Sequence, residues 1–100
     1  MPTIAHAAPM STASFEADLA AEGFGSPEVR EIAAGTCNPP HSHPFEVKAL
    51  MLAGELELTC EGHTATYRAG DVFTMAAGRE HAERFGAETT RYLVGRKASG

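Results

Sequence analysis

Residues 35–54, with the sequence GTCNPPHSHPFEVKALMLAG, contain two histidines separated by one residue and followed by an apolar run. Side chains alternate between the two faces of an extended strand, so His41 and His43 share one face. Three prolines surround the pair, and proline disfavours a helix at its own position and at the residue before it. The pair therefore lies on a strand. Neutral imidazole binds zinc, iron, copper and nickel, so the pair is half of a metal site; it equally fits a polar strand entrance.

Length and composition are typical of one soluble globular domain. The chain has 100 residues, of which 43% are hydrophobic and 21% are charged. A net charge of -5 argues against nucleic acid or an anionic membrane as the main partner, because both favour a basic surface. Cys37 and Cys60 are far apart and fit two free thiols. Neither a signal peptide nor a membrane span is evident, so we expect a cytoplasmic protein.

The remaining pattern is one helical segment followed by short strands. Residues 11–22 predict a helix with Ser14 as its N-cap and Gly23 at its end. Weak alternation of apolar and polar residues at 28–34 suggests a first strand after this helix. Strong strand signals, separated by glycine turns, follow at residues 47–52, 55–61, 64–68, 72–75 and 89–95. His63 falls in one of these turns and is expected to be exposed. This spacing is typical of an all-β sandwich or barrel.

Two spaced motifs resemble those of the cupin family. The first is G-x5-H-S-H, followed by an acid and a glycine, at residues 35–54; the second is G-x5-A-x-G-x-x-H at residues 70–81. The resemblance implies a small single-domain cupin, which is all-β and folds as a double-stranded β-helix, the cupin jelly-roll barrel. With a short N-terminal helix added, the expected organisation is an arm and helix at 1–25, one barrel at 26–96 and a tail at 97–100.

The resemblance also implies a metal site in the mouth of the barrel. In the family, two histidines and a glutamate of the first motif and one histidine of the second bind one divalent metal. Carried over to this chain, the histidine ligands are His41, His43 and His81. The expected ion is one divalent transition metal, namely Fe, Mn, Ni or Zn.

The glutamate departs from the family pattern. Only residues 44–45 separate His43 from Glu46, so Val47 occupies the usual position of the glutamate. A one-residue offset turns a strand side chain to the other face, where Glu46 would lie near Lys48. A bulge at residues 44–45 would turn Glu46 inward as a fourth ligand, so both placements stay open.

Other residues are expected near the metal by strand parity or by position. Six apolar side chains are predicted to line a small cavity under the metal, or to fill the barrel: Phe45, Val47, Ala49, Met51, Phe73 and Met75. Cys37 either approaches the metal or is a buried, inert thiol. Glu83 and Tyr92 are candidates to orient a ligand imidazole.

Two classes of function fit these residues. The first is a metal-dependent enzyme, of the dioxygenase or isomerase type, that acts on a small organic molecule in the barrel. The alternative is a non-catalytic cupin that binds a metal or a ligand as a sensor or store, or a metal-free barrel. The expected partners are a small-molecule ligand and a second copy of the chain. In that homodimer, sheet edges pair and the N-terminal arm crosses to the neighbour.

Overall fold

The computed structural model describes residues 11–98, which form one helix and eight strands; the predicted N-terminal arm lies outside this range. The elements are α1 (Thr12–Ala21), β1 (Glu28–Ile32), β2 (Cys37–His41), β3 (Phe45–Ala53), β4 (Glu55–Cys60), β5 (His63–Arg68), β6 (Val72–Met75), β7 (His81–Phe85) and β8 (Thr90–Ala98). Among these residues, no helix has the length and apolar character needed to cross a bilayer.

The strands form two four-stranded antiparallel sheets. The first has the order β1-β8-β3-β6 and the second the order β2-β7-β4-β5. Most connections along the chain therefore pass from one sheet to the other, as in a jelly roll. The inner faces of both sheets supply the main core, which consists of Ala49, Met51, Leu56, Leu58, Phe73, Met75, Phe85 and Val94. The predicted double-stranded β-helix is confirmed.

The β4–β5 hairpin shows how local sequence fixes the strands. Leu56 and Leu58 are buried, whereas the glutamates that alternate with them are partly exposed. The turn consists of Glu61, with φ 53°, and Gly62, with φ 81°. Two positive φ angles in a two-residue loop match the right-handed twist of the flanking strands. The turn lies one residue earlier than predicted, so His63 begins β5; its side chain is exposed, as expected.

Helix α1 covers the outer face of the first sheet. It begins after Ser11, whose Oγ accepts a hydrogen bond of 3.1 Å from the backbone N–H of Ser14. The prediction that Ser14 is the cap was therefore wrong by one turn, because both serines precede a plausible helical start. Phe15 and Leu19 are buried and pack with Leu50 and Leu93 in a second apolar cluster.

Two further local predictions differ from the structure. β8 continues to Ala98, beyond the expected end at residue 95, because it pairs with β3 as far as Phe45. Cys37 is exposed and not buried. The pairing of β2 with β7 is irregular between Asn38 and His41, so the strand parity assumed for Cys37 does not hold across that point.

Candidate metal centre

The two histidine motifs meet at the ends of neighbouring strands. His41 ends β2 and lies opposite His81, the first residue of β7. His43 lies in the short connection to β3, so the prediction that both histidines lie on one strand is wrong. The carbonyl of His43 accepts a hydrogen bond of 2.7 Å from the backbone N–H of Gly78. This bond joins the connection before β3 to the loop before β7. The pairing and the loop contact together place residues from two distant parts of the sequence beside each other.

The three imidazoles form one compact cluster. The ring centroids of His41 and His81 are 4.4 Å apart, those of His41 and His43 are 4.9 Å apart, and those of His43 and His81 are 5.3 Å apart. One ligand nitrogen from each ring lies within 4.8 Å of the other two. His81 is only 4% exposed, while the other two rings are partly buried. The cluster is therefore buried on the side of His81 and accessible on the side of His41 and His43.

Backbone carbonyls fix the orientation of two of the rings. Nδ1 of His41 lies 2.8 Å from the carbonyl oxygen of Pro39, and Nδ1 of His81 lies 3.0 Å from that of Arg79. A carbonyl oxygen can only accept, so each Nδ1 donates its proton. In the neutral ring this leaves Nε2 with a free lone pair, which is the tautomer that binds a metal through Nε2.

His43 is oriented by an aromatic neighbour. Its ring stacks on Phe45 at a centroid distance of 5.0 Å and an interplanar angle of 15°. The guanidinium of Arg96 lies 5.8 Å from the centroid of Phe45. Burial, and then the charges that His41 and His81 carry when protonated, lower the pKa of His43 from its ordinary value. The neutral form, which is the form that binds metal, is thereby favoured.

Glu46 lies on the other face of β3. The pairing of β3 with β8 is regular from Phe45 to Met51, and Val47 packs against the main core, so alternation along the strand places Glu46 on the opposite face. Lys48, two residues further along, forms an ion pair of 2.9 Å with Glu22, which caps the C-terminus of α1. Glu46 shares this outer face by strand parity. The group of potential ligands in residues 11–98 accordingly contains the three histidines and not Glu46.

A cavity of about 390 Å³ adjoins the histidines. Its walls are Arg30, Ile32, Asn38, Pro39, His41, His43, Glu83, Phe85 and Tyr92. None of the six predicted lining residues is among them. Ala49, Met51, Phe73 and Met75 are buried in the main core, Val47 packs against that core, and Phe45 stacks on His43. The cavity is therefore more polar than the predicted apolar one.

Two of the polar wall residues come from positions that the sequence did not single out. Asn38 lines the cavity because the irregular pairing between Asn38 and His41 puts the two side chains on the same face of β2. The Nδ2 of Asn38 donates a 2.8 Å hydrogen bond to Glu83 Oε1. Arg30 reaches it because β1 pairs with β8, which places Arg30 opposite Tyr92. The sequence around residue 30 shows the alternation of a strand, but it does not show that this strand pairs with β8.

Glu83 and Tyr92 were candidates to orient a ligand imidazole, but the backbone carbonyls of Pro39 and Arg79 contact the rings instead, and the two candidates line this cavity. Burial raises the pKa of the Tyr92 phenol from its ordinary value, and the nearby charge of Glu83 raises it further. The phenol therefore keeps its proton at neutral pH and offers a hydrogen-bond donor to a molecule in the cavity.

The donor set fits a divalent transition metal. Imidazole nitrogens bind zinc at about 2.0–2.1 Å, so two nitrogens on one ion lie at most about 4.2 Å apart. The three observed nitrogens lie within 4.8 Å of one another, which is about 0.6 Å above that value. Three protein ligands leave further positions of the ion open to water or substrate.

Comparison with known proteins agrees with this fold. Residues 28–94 match the family described as "Cupin domain". Among solved structures, the cupin domain of Cnp3 from Schizosaccharomyces pombe has a TM-score of 0.66 and 21% identity, over 76% of this chain and 64% of that one. A cupin superfamily protein from Desulfitobacterium hafniense has a TM-score of 0.64 and 19% identity, over 73% and 66%.

A third solved structure is more similar in sequence. The DMSP lyase DddQ from Ruegeria pomeroyi has a TM-score of 0.65 and 32% identity, over 73% of this chain but only 38% of that one. This chain thus spans less than two thirds of both DddQ and the Cnp3 domain. No curated protein matches the sequence. The family match covers most of the described residues and includes both histidine motifs, so the chain belongs to the cupin family.

Proposed function

We propose that the chain binds one divalent transition metal through His41, His43 and His81 and acts as a metal-dependent enzyme on a small organic molecule. The observation that carries the proposal is the cluster itself, in which one nitrogen from each ring lies within 4.8 Å of the others. Iron, manganese, nickel and zinc all accept imidazole ligands, and all remain candidates.

The adjacent cavity supports an enzyme more than a closed structural site. A structural metal site usually has four protein ligands, whereas three ligands with an open side are typical of catalytic sites. His41 and His43 belong both to the cluster and to the cavity wall, so a molecule in the cavity lies next to the metal position. When bound, the metal would supply Lewis-acid chemistry, by polarising an oxygen of the substrate or of a water molecule.

The residues that line the cavity would contact the substrate in different ways. The phenol of Tyr92 donates a hydrogen bond to the substrate, and the amide of Asn38 holds the carboxylate of Glu83 in place. Ile32 and Phe85 provide apolar contact. The similarity to a DMSP lyase makes DMSP the first substrate to assay, since DddQ shares 32% identity with this chain over 73% of this chain's length.

The test begins with metal content. Protein is purified without chelator or affinity tag, and its metals are measured by plasma mass spectrometry before and after addition of Fe, Mn, Ni or Zn. We expect close to one ion per chain and a loss of at least tenfold in affinity for His81→Ala, because removing one of three ligands leaves an incomplete site.

His63→Ala is the matched control, because His63 is exposed in the β4–β5 hairpin and is not in the cluster. It should bind metal as the wild type does. Equal metal binding by the wild type and His81→Ala would contradict the proposed centre. A metal-loaded protein that turns over neither DMSP nor a panel of small organic acids would favour the non-catalytic alternative.

A further inference from the structure

Two opposite charges face the cavity without an ion-pair partner. Arg30 and Glu83 both line it, and neither belongs to any ion pair formed within residues 11–98. The neighbouring arginines of the first sheet differ in this respect, because Arg91 pairs with Glu31 and Arg96 pairs with Glu28. Arg30 is thus a cation of this sheet whose charge remains available to a ligand.

The two charges lie on different sheets. Arg30 is on β1 of the first sheet, opposite Tyr92. Glu83 is on β7 of the second sheet, and the amide of Asn38 holds one oxygen of its carboxylate. Both charges act on the phenol of Tyr92, since Glu83 raises its pKa and Arg30 opposes that rise. The cavity between the sheets therefore has a cation on one wall and an anion on the other.

This arrangement matches a molecule that carries both charges. A guanidinium binds a carboxylate through two parallel N–H donors, and a carboxylate accepts strong hydrogen bonds from an ammonium group. Ile32 and Phe85, which also line the cavity, would contact the hydrocarbon between the two groups. Arg30 is exposed and Glu83 is partly buried, so a ligand with only one charge would make one of the two charge-assisted contacts and lack the other.

We propose that the cavity binds a small dipolar amino-carboxylate, with its carboxylate at Arg30 and its cationic group at Glu83. The inference rests on the proposed function, because it takes the cavity beside the three histidines as the place where the substrate is held. It adds the charge pattern of the substrate, which the histidine cluster does not specify.

Binding of simple probes tests this pattern. Titration calorimetry with the metal-loaded protein compares β-alanine and γ-aminobutyrate with propionate and propylamine, which each carry only one of the two charges. We expect at least one dipolar probe to bind about tenfold more tightly than both single-charge probes, because each charge-assisted contact adds to the affinity.

Two isosteric variants separate the contacts. Arg30→Gln should weaken binding of the dipolar probe and of propionate about tenfold, and Glu83→Gln should weaken binding of the dipolar probe and of propylamine about tenfold. Arg91→Gln and Glu57→Gln are the matched controls, since Arg91 pairs with Glu31 at the surface and Glu57 lies opposite Arg84 in the strand pairing, outside the cavity. Both controls should bind the probes as the wild type does.

Several outcomes would overturn the inference. The first is that propionate and the dipolar probes bind with equal affinity. The second is that Arg30→Gln and Glu83→Gln both bind the dipolar probe as tightly as the wild type does. The metal alone would then hold the carboxylate. Metal content is measured on every variant. Charge-dependent binding by a protein that holds no metal would support the dipolar site and contradict the proposed metal centre.

Discussion

The three imidazoles of the cluster are held in two different ways. Carbonyl oxygens fix the Nδ1 atoms of His41 and His81, whereas His43 rests against the ring of Phe45. A hydrogen bond selects both the orientation and the tautomer of an imidazole, but stacking selects only the plane of the ring. The position of His43 therefore depends more on a packing contact than the positions of the other two rings do.

This dependence makes Phe45 a positioning residue for His43. We expect Phe45→Ala to weaken metal binding roughly three- to tenfold, since an aromatic pair contributes about 0.5–1.5 kcal/mol beyond its buried area. Phe45→Tyr keeps the stacked ring and should retain the affinity of the wild type. The measurement is a metal titration with a competing chelator. If Phe45→Ala lowered thermal stability but left metal affinity unchanged, Phe45 would have only a structural role.

The lowered pKa of His43 gives a pH dependence with a defined sign. The unfolded chain protonates this residue near 6.5, whereas the folded protein does so only at lower pH. Between those two pKa values the unfolded state binds more protons, so stability is fully present above 6.5 and declines as the pH falls towards the lowered value. Protons also compete with the metal for the ring over the same range.

We therefore expect the metal-free wild type to lose more stability between pH 7.5 and pH 5.5 than His43→Gln does. Denaturant unfolding at the two pH values measures this difference, and the metal-loaded wild type should lose its ion over the same interval. An identical pH dependence in the wild type and His43→Gln would show that burial of this imidazole does not contribute to it.

Helix α1 is attached to the barrel by apolar packing and by charge. Leu19 is 1% exposed, and an added Cβ at Gly95 of β8 would lie 2.9 Å from its Cδ1. Lys48 of β3 donates hydrogen bonds of 2.9 Å to both carboxylate oxygens of Glu22. The contacts are all with the outer face of the first sheet, whereas the histidine cluster lies on the opposite, inner side. Stability and metal binding should therefore respond separately to changes in the helix.

We expect Leu19→Ala to lower the free energy of unfolding by about 2–5 kcal/mol, as for other buried leucines that leave a cavity. Metal affinity of the folded fraction should stay unchanged. Ala21→Ser is the control at an exposed helical position and should cost only about 0.5 kcal/mol. Urea unfolding of the metal-free proteins gives these values. A loss of metal affinity in folded Leu19→Ala would indicate that the helix also shapes the cluster.

The strands were more predictable than the cavity they enclose. Glycine turns and alternation located β4, β5 and β6 nearly to the residue, because those signals are local. The walls of the cavity depend on the pairing of β1 with β8 and on the irregularity in β2, which brings Asn38 beside Glu83. Pairing partners are not encoded within one strand. The homodimer and the cytoplasmic location remain predictions for the same reason, since each depends on something outside the chain's local pattern.

The cluster joins parts of the barrel that are far apart in sequence. His41 and His81 belong to the second sheet, and His43 leads into β3 of the first sheet. An ion bound to all three would hold these segments together in the folded protein only, because the unfolded chain does not bring residues 41 and 81 near each other. Metal binding should therefore stabilise the whole fold through mass action.

At a free metal concentration about 100 times the dissociation constant, the gain is about 2.7 kcal/mol. For a domain of this size each kcal/mol raises the melting temperature by about 4–8 °C, so we expect a rise of roughly 10–20 °C in calorimetry. His81→Ala should melt at the same temperature with and without metal, whereas His63→Ala should keep the full rise. If the wild type binds one ion per chain and its melting temperature does not change, the ion is bound equally well by the unfolded chain and the three histidines do not form a centre that depends on the fold.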